Sequence, residues 1–140
     1  MSNDGGLRSL FRKHLPTFDW QSIETAMTGG GVPDSNYCAQ GSEGWIEFKR
    51  TSHWSVTLRA DQIGWILRRR RHGGRVFIAV RRGGERQDEL WLCHGSFAKE
   101  LKLYGLRKCP PEAILGRWMD GPSRWDWKAV SEHLLSDDHL

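Results

Sequence analysis

The sequence predicts an α/β fold in which helices flank a mixed central sheet, with the element order α-β-β-α-β-β-α-α. Three stretches lead to this prediction. Apolar and charged residues alternate over 45–49, which is the period of a half-buried strand. The run 76–80 is continuously apolar, as in a strand buried on both faces. Between them, residues 58–71 carry an apolar stripe at helical spacing, so a helix is expected to connect two strands of the sheet.

The chain before these strands is predicted to be helical and then to turn sharply. Apolar residues recur at helical spacing over 7–18 until Pro16 interrupts the pattern. Asp19 is a candidate N-cap for a second helical piece over 20–27, which the three glycines at 29–31 would end. Those glycines would let the chain turn tightly into the first strand.

Two strands are predicted to pair around a polar turn. Asp34 stands where the first strand would begin, and residues 39–44 supply the turn that folds it back beside the second strand. In that second strand Glu47 and Lys49 are two residues apart, so they share one face. An antiparallel pair of this kind brings Asp34 within reach of Glu47.

Two carboxylates and an ammonium in this arrangement suit a magnesium ion and a phosphate ester. Mg²⁺ keeps several waters and takes only one or two carboxylates from the protein. An ion held by Asp34 and Glu47 would lower the pKa of a bound water, while Lys49 would orient the water or offset developing charge. The alternative is a solvated hairpin with ordinary surface charges, because Asp, Glu and Lys are common there.

Four short motifs follow one another in order: Gly-Val-Pro-Asp at 31–34, Ile-Glu-Phe-Lys at 46–49, Gln-Ile-Gly-Trp at 62–65 and Gly-Gly-Arg-Val at 73–76. In this order they resemble the PD-(D/E)XK nuclease superfamily, and they are most similar to its VRR-NUC type, found in phage and repair nucleases. The resemblance covers about residues 29–80. The aspartate of the family usually begins an apolar strand, whereas the polar Ser35 and Asn36 follow it here.

The resemblance implies a role for each matching residue. The residues that would hold Mg²⁺, or Mn²⁺ in its place, are Asp34, Glu47 and the backbone carbonyl of Phe48. Lys49 would serve the attacking water, and Gln62 on the following helix would lie beside the site. Many members also use a glutamate from a preceding helix, for which Glu24 is the candidate. An exposed helix position explains Glu24 about as well.

Arginines crowd one span of the chain and are predicted to grip a nucleic-acid backbone. Four of them close the helix at 68–71, where cations favour the negative end of the helix dipole. Four in a row wrap the whole helix circumference, so some must face any polyanion on that side. In the next loop, Trp54 could stack on a splayed base or could equally pack into the core. The residues predicted to bind nucleic acid are Arg50, Ser52, His53, Trp54, Arg69, Arg70 and Arg71.

The rest of the chain is interpreted from local patterns alone. A strand is expected over 89–93, followed by a helix that Ser96 caps and Gly105 ends. Two further helices are predicted, over 111–119 and from 124 to about 135. They would form a C-terminal helical layer anchored by tryptophans.

Length and composition predict one domain over 1–140, and the resemblance implies that it is a nuclease domain. Its core would span about 19–95 and a C-terminal helical extension about 96–136. No apolar run approaches the roughly 20 residues that a membrane helix needs, and the first residues lack the layout of a secretory signal. A cytoplasmic protein is therefore expected.

The cysteines are not expected to form a framework of disulfides or a metal site. Cys38, Cys93 and Cys109 are odd in number and lack CxxC spacing. A zinc site built from Cys93, His94 and a distant histidine is disfavoured, because adjacent residues of a strand point to opposite faces.

The sequence therefore predicts a divalent-metal-dependent endonuclease that hydrolyses DNA phosphodiesters. Branched or distorted DNA, as for a Holliday junction resolvase, is the most natural substrate because no base-reading module stands out. By resemblance a homodimer is expected, since two strands must be cut by two sites related by a two-fold axis. The alternatives are a noncatalytic DNA-binding module on a nuclease fold, which the intact D…ExK argues against, and an RNA-directed or host-inhibiting phage protein.

Overall fold

The computed structural model describes residues 4–23, 30–84 and 87–140. The helices are α1 (Leu7–His14), α2 (Ala60–Arg71), α3 (Ala98–Lys108) and α4 (Trp127–Leu135). The strands are β1 (Asp19–Ser22), β2 (Ser35–Ala39), β3 (Ser42–Thr51), β4 (Val76–Gly84), β5 (Gln87–His94) and β6 (Ile114–Trp118). Single 3-10 turns lie at Gly95–Phe97, Pro111–Ala113 and Asp137–His139.

The six strands form one sheet in the order β1-β2-β3-β4-β5-β6. Strands β3 and β4 are parallel and are joined by α2, because a parallel pair needs a crossover, and every other neighbouring pair is antiparallel. The predicted fold class, a mixed central sheet flanked by helices, is thus confirmed. No helix in the described ranges combines the length and apolar character needed to span a membrane.

Helices cover both faces of the sheet, so alternate residues of the central strands enter two separate cores. Helices α1 and α4 pack on one face and α2 and α3 on the other. In β3, Ile46 and Phe48 point to the first core, whereas Glu47 and Lys49 point towards α2. The carboxylate of Glu47 is therefore buried beneath a helix.

The predicted helix over 20–27 is wrong at its beginning, because residues 19–22 form the edge strand β1. Asp19 pairs with Cys38 of β2 and caps no helix. The indole of Trp20 packs against the rings of Phe18 and Tyr37, so the sheet holds this segment extended. The later part of the predicted helix, from residue 24, lies outside the described residues.

The predicted helix over 111–119 is also wrong. The two prolines lead into a single 3-10 turn, and Ile114–Trp118 then pairs antiparallel with β5 as β6. Of the two helices predicted for the C-terminal helical layer, the structure therefore contains only α4, in the described part of the chain after β6. That helix begins at Trp127 rather than at 124, because the side chain of Asp126 accepts a hydrogen bond from Ala129 N–H and caps it.

Helix α3 departs from the prediction at its beginning. It begins at Ala98 after Phe97, and no side chain among the described residues caps it, so Ser96 is not its cap. Gly105 has non-helical dihedrals, with φ at 75°, and ends the regular part of the helix as predicted, and a short helical piece then continues to Lys108. A side chain at 105 would place its Cβ 2.7 Å from the carbonyl oxygen of Trp54, so glycine is required there.

Candidate active site

The candidate site lies where β2 begins beside the middle of β3. Ser35 pairs with Ile46, so Asp34, one residue earlier, comes beside Glu47. The Asp34 carboxylate accepts a hydrogen bond from Phe48 N–H at 3.0 Å, and its backbone carbonyl accepts one from Ile23 N–H at 2.9 Å. Asp34 is therefore fixed from both neighbouring strands, even though the first residue of β2 is polar.

Glu47 is the most deeply buried charged residue of the site, with 2% of its surface exposed. Its Oε2 accepts a hydrogen bond from Gln62 Nε2 at 3.0 Å and lies 3.2 Å from Lys49 Nζ. Its Oε1 is also buried and has no hydrogen-bond partner in the described part of the chain. Burial and the nearby charge of Asp34 raise the pKa of Glu47 to about 7.

Gln62 ties helix α2 to this carboxylate. Its amide oxygen accepts hydrogen bonds from Lys49 Nζ at 3.3 Å and from the backbone N–H of Arg59 at 3.0 Å. One side chain thus holds Glu47, orients Lys49 and occupies the first turn of α2. Gly31 lets the segment before Asp34 approach this turn, because a Cβ there would lie 2.3 Å from the backbone of Asp61.

Two residues that the sequence reasoning missed also act on the site. Burial raises the pKa of Asp34, and the positive charge of Arg8 on α1 opposes that shift. Asp4 is 8% exposed and accepts hydrogen bonds from the N–H groups of Gly6 and Arg8, and its charge adds to the rise in the pKa of Asp34. No local motif marks these residues, because tertiary packing alone brings α1 to the site.

The site residues fit a hard divalent cation. Asp34 and Glu47 supply two carboxylates, and within the described ranges one oxygen of Glu47 has no hydrogen-bond partner. Burial disfavours the charge of each carboxylate. A small dication would reverse that preference, and Mg²⁺ needs no more than two carboxylates when waters and a carbonyl such as that of Phe48 complete its shell. Among the described residues no three His, Cys, Asp or Glu side chains converge. Glu24, the predicted third carboxylate, lies outside them.

Among solved structures, one that the chain resembles is a nuclease. That structure is Hjc, a Holliday junction resolvase from the archaeal hyperthermophile Archaeoglobus fulgidus. The likeness has a TM-score of 0.47 at 17% sequence identity and covers 61% of this chain and 71% of that chain. Comparisons with protein-family models and with curated proteins gave no match. A function for this chain is therefore inferred from the residues of the site.

The arginines at the end of α2 differ in exposure and in the groups that they contact. The exposed Arg69 lies over the ring of Trp65, with its guanidinium carbon 4.5 Å from the ring centroid. Arg70 is half-buried and donates to the carbonyl oxygens of Gly74 and His139 at 2.8 and 2.9 Å. Arg71 is exposed, so Arg69 and Arg71 can meet a polyanion while Arg70 holds the C-terminal segment.

The loop after β3 carries the other residues predicted to bind nucleic acid. Ser52 and His53 are exposed, and the half-buried Trp54 packs partly against the core and partly faces solvent. Arg50 is exposed and lines a cavity of about 370 Å³. As its neighbour in the strand, Arg50 points to the opposite face of the sheet from Lys49. The structure therefore brings Trp54, but not Arg50, to the face that carries the site.

Proposed function

We propose that this protein is a divalent-metal-dependent endonuclease that hydrolyses phosphodiester bonds of DNA. The observation that carries this proposal is the Glu47 carboxylate, buried beside Asp34. One of its oxygens is held by Lys49 and Gln62, and the other has no hydrogen-bond partner among the residues that the structure describes. A buried and a half-buried carboxylate side by side are unfavourable unless a cation compensates their charges. A dication beside a lysine suits an anionic substrate such as a phosphodiester.

The residues of the site have separable tasks in this reaction. Asp34, Glu47 and the Phe48 carbonyl would hold the ion, which when bound supplies Lewis-acid chemistry at the phosphate. The Lys49 ammonium, 3.2 Å from Glu47, would orient the attacking water and offset the charge that develops at phosphorus. Gln62 would keep Lys49 in place, because it accepts a hydrogen bond from that ammonium and donates one to Glu47.

The proposed substrate is branched or distorted duplex DNA, cut by two copies of the chain. The exposed arginines at the end of α2 would grip the backbone, which carries no sequence information of its own. A symmetric dimer would present two sites related by a two-fold axis, one for each strand. Incubation with labelled linear, nicked, flap and four-way DNA tests the substrate, and light scattering tests the dimer.

Cleavage is expected to require Mg²⁺, to proceed with Mn²⁺, and to be poor with Ca²⁺, which still supports DNA binding. Calcium prefers longer and looser coordination, so it would misplace the attacking water. The measurement is the cleavage rate of each DNA with each ion and with excess chelator. Mg²⁺ should also raise the melting temperature of the wild-type protein, because a ligand that binds only the folded state stabilises it. Full activity in excess chelator would contradict the proposal.

Replacing Arg69 and Arg71 together by glutamine should flatten the dependence of DNA affinity on salt. Each phosphate contact contributes about 0.9 to the slope of log affinity against log salt on duplex DNA, so the slope should fall by roughly 1.8. Arg70→Gln is the matched control within the same run. It should lower the melting temperature and leave the slope unchanged, because the Arg70 guanidinium donates to two backbone carbonyls. If the double variant has the same slope of log affinity against log salt as the wild type, DNA does not contact these arginines of α2.

A further inference from the structure

A second cavity, of about 510 Å³, lies over β5 and β6, between the loop after β3 and the end of α3. Its volume falls within the roughly 300–1,000 Å³ of ligand pockets. Two indoles, two arginines and a short apolar floor meet there. The described residues that line it are Trp54, Trp91, Leu106, Arg107, Cys109, Pro111, Ile114 and Arg117.

A buried ionic network positions both indoles of this pocket. Glu89 is fully buried, and its two carboxylate oxygens pair with Arg82 and Arg117. The guanidinium carbon of Arg82 lies 3.5 Å from the ring centroid of Trp54, and that of Arg117 lies 4.5 Å from the ring centroid of Trp91. One carboxylate therefore holds two cations, each against one of the indoles that line the pocket.

The backbone around Trp54 is fixed as well. Its carbonyl oxygen accepts a hydrogen bond from Leu106 N–H at 2.8 Å, at the kink that Gly105 makes in α3. The preceding carbonyl, of His53, accepts one from Arg82 Nε at 2.7 Å. The loop that carries Trp54 is thus tied to a helix and to the ionic network, so its indole is held in place before any ligand arrives.

The pocket lies on the same face of the sheet as the candidate active site. Lys49 pairs with Val80, Val80 with Trp91, and Trp91 with Arg117, so these four residues form one row across β3, β4, β5 and β6. Neighbouring strands lie about 4.8 Å apart, which puts Trp91 roughly 10 Å from Lys49 across the sheet. A strand with one phosphate at Lys49 can therefore reach the pocket with a nearby nucleotide.

The chemistry of the pocket combines flat apolar surface with positive charge. The exposed Arg107 has its guanidinium carbon 5.3 Å from the ring centroid of Trp54, and Arg117 stands above Trp91. Arg82 and Arg117 share the one carboxylate of Glu89, and Arg107 adds a further positive charge at the pocket, so the pocket favours an anion. A nucleotide has both required parts, because its base can stack on the half-buried indole of Trp54 and its phosphate can pair with arginine. The buried Trp91 supports the indole of Trp54 through an edge contact.

We propose that this pocket binds an unpaired base of the DNA strand that is cut, with Arg107 and Arg117 contacting its flanking phosphates. A base within a duplex is stacked and paired and cannot enter, so the pocket selects DNA that carries unpaired nucleotides near the scissile bond. This inference rests on the proposed function for the identity of the strand. Beyond that function, the inference adds a subsite that recognises unpaired nucleotides.

The test measures binding without cleavage, by fluorescence anisotropy of a labelled oligo-dT in excess chelator. A second oligonucleotide of equal length carries abasic sites and keeps its phosphates. Base stacking contributes about 1–3 kcal/mol per base, so Trp54→Leu should weaken oligo-dT binding roughly 5- to 140-fold. The same variant should bind the abasic strand as the wild type does. Trp127→Leu, a half-buried tryptophan on the other face of the sheet, should change neither affinity.

A second pair of variants tests the same pocket without replacing Trp54, so the inference can still be tested if Trp54→Leu does not fold. Arg107→Gln should weaken binding of both oligonucleotides and lower the salt slope by roughly 0.7, the value for one phosphate of a single strand. The adjacent exposed Lys108→Gln removes the same charge outside the pocket and should leave the slope unchanged.

Three outcomes decide the inference. Equal affinity of wild type and Trp54→Leu for oligo-dT would overturn it, as would equal effects of Arg107→Gln and Lys108→Gln. Tighter binding of oligo-U than of oligo-dT would overturn the assignment to DNA. Failure of the proposed function looks different. Wild-type protein that binds oligo-dT with the expected dependence on Trp54 and Arg107, but cuts none of the DNA substrates with Mg²⁺, would overturn the proposed function and leave base binding by the pocket in place.

Discussion

Lys49→Ala is expected to slow DNA cleavage roughly 100- to 1,000-fold, the usual loss when one donor that stabilises a transition state is removed. The Lys49 side chain is 15% exposed and contacts Glu47 Oε2 and Gln62 Oε1, so it serves the site and not the core. Asp34→Asn should cause a loss of similar size, because it removes a carboxylate from the proposed metal site. The measurement is the single-turnover rate at saturating Mg²⁺ on the DNA that the wild type cuts best.

The expected loss is one of chemistry, so folding and binding serve as its controls. Melting temperature should stay close to the wild-type value in both variants. DNA affinity in Ca²⁺ should stay close to the wild-type value in Lys49→Ala, which keeps both carboxylates of the proposed metal site. Lys128→Ala removes an exposed lysine from α4, on the face of the sheet away from Lys49, and should cut at the wild-type rate. Cleavage at the wild-type rate by Lys49→Ala or by Asp34→Asn would contradict the assignment of these residues to the active site.

Much of the candidate site could be predicted because its information is local. Glu47 and Lys49 are two residues apart on one strand, and the period of a strand alone puts them on one face. The turn at 39–44 fixes the hairpin register, which in turn brings Asp34 beside Glu47. Gln62 lies in the first turn of a helix whose apolar stripe marks it in the sequence.

The two edge strands could not be predicted in this way. Strand β1 has four residues, of which two are exposed, and β6 has five, none of them buried, so neither carries a clear burial pattern of its own. Each is held extended by its neighbour in the sheet, and strand propensity depends strongly on such context. The prolines before β6 and the candidate cap Asp19 favour helices locally, and tertiary pairing overrides them.

The ionic network under the second cavity could not be predicted from the sequence either. Arg82, Glu89 and Arg117 come from three different strands, and only the registers of β4, β5 and β6 bring them together. In the sequence each looks like an ordinary surface charge. Arg8 and Asp4 could not be identified from the sequence for the same reason. Their charges shift the pKa of Asp34 only because α1 packs near that residue. Contacts between distant residues of this kind carry no signal in a single sequence.

Glu47→Gln is expected to raise the stability of the metal-free protein above pH 7 while it abolishes cleavage. The pKa of Glu47 is about 7 in the folded protein, raised from the ordinary value of 4.5 for a solvated glutamate. A carboxyl with a raised pKa contributes stability that is fully present below the unfolded pKa and is lost as the pH rises through the folded pKa. Above pH 7 the wild type thus bears the cost of a buried charge, and glutamine does not.

Denaturant unfolding of both proteins in chelator at pH 4.5 and pH 8 measures this difference. The two should be similarly stable at pH 4.5, and Glu47→Gln should be more stable by roughly 1–3 kcal/mol at pH 8. Mg²⁺ should narrow the gap at pH 8, because it stabilises only the protein that keeps the carboxylate. Glu43→Gln, at an exposed position of the same strand, should show neither effect. A Glu47→Gln protein that is less stable than wild type at pH 8, or equally stabilised by Mg²⁺, would show that Glu47 is an ordinary structural ion pair with Lys49.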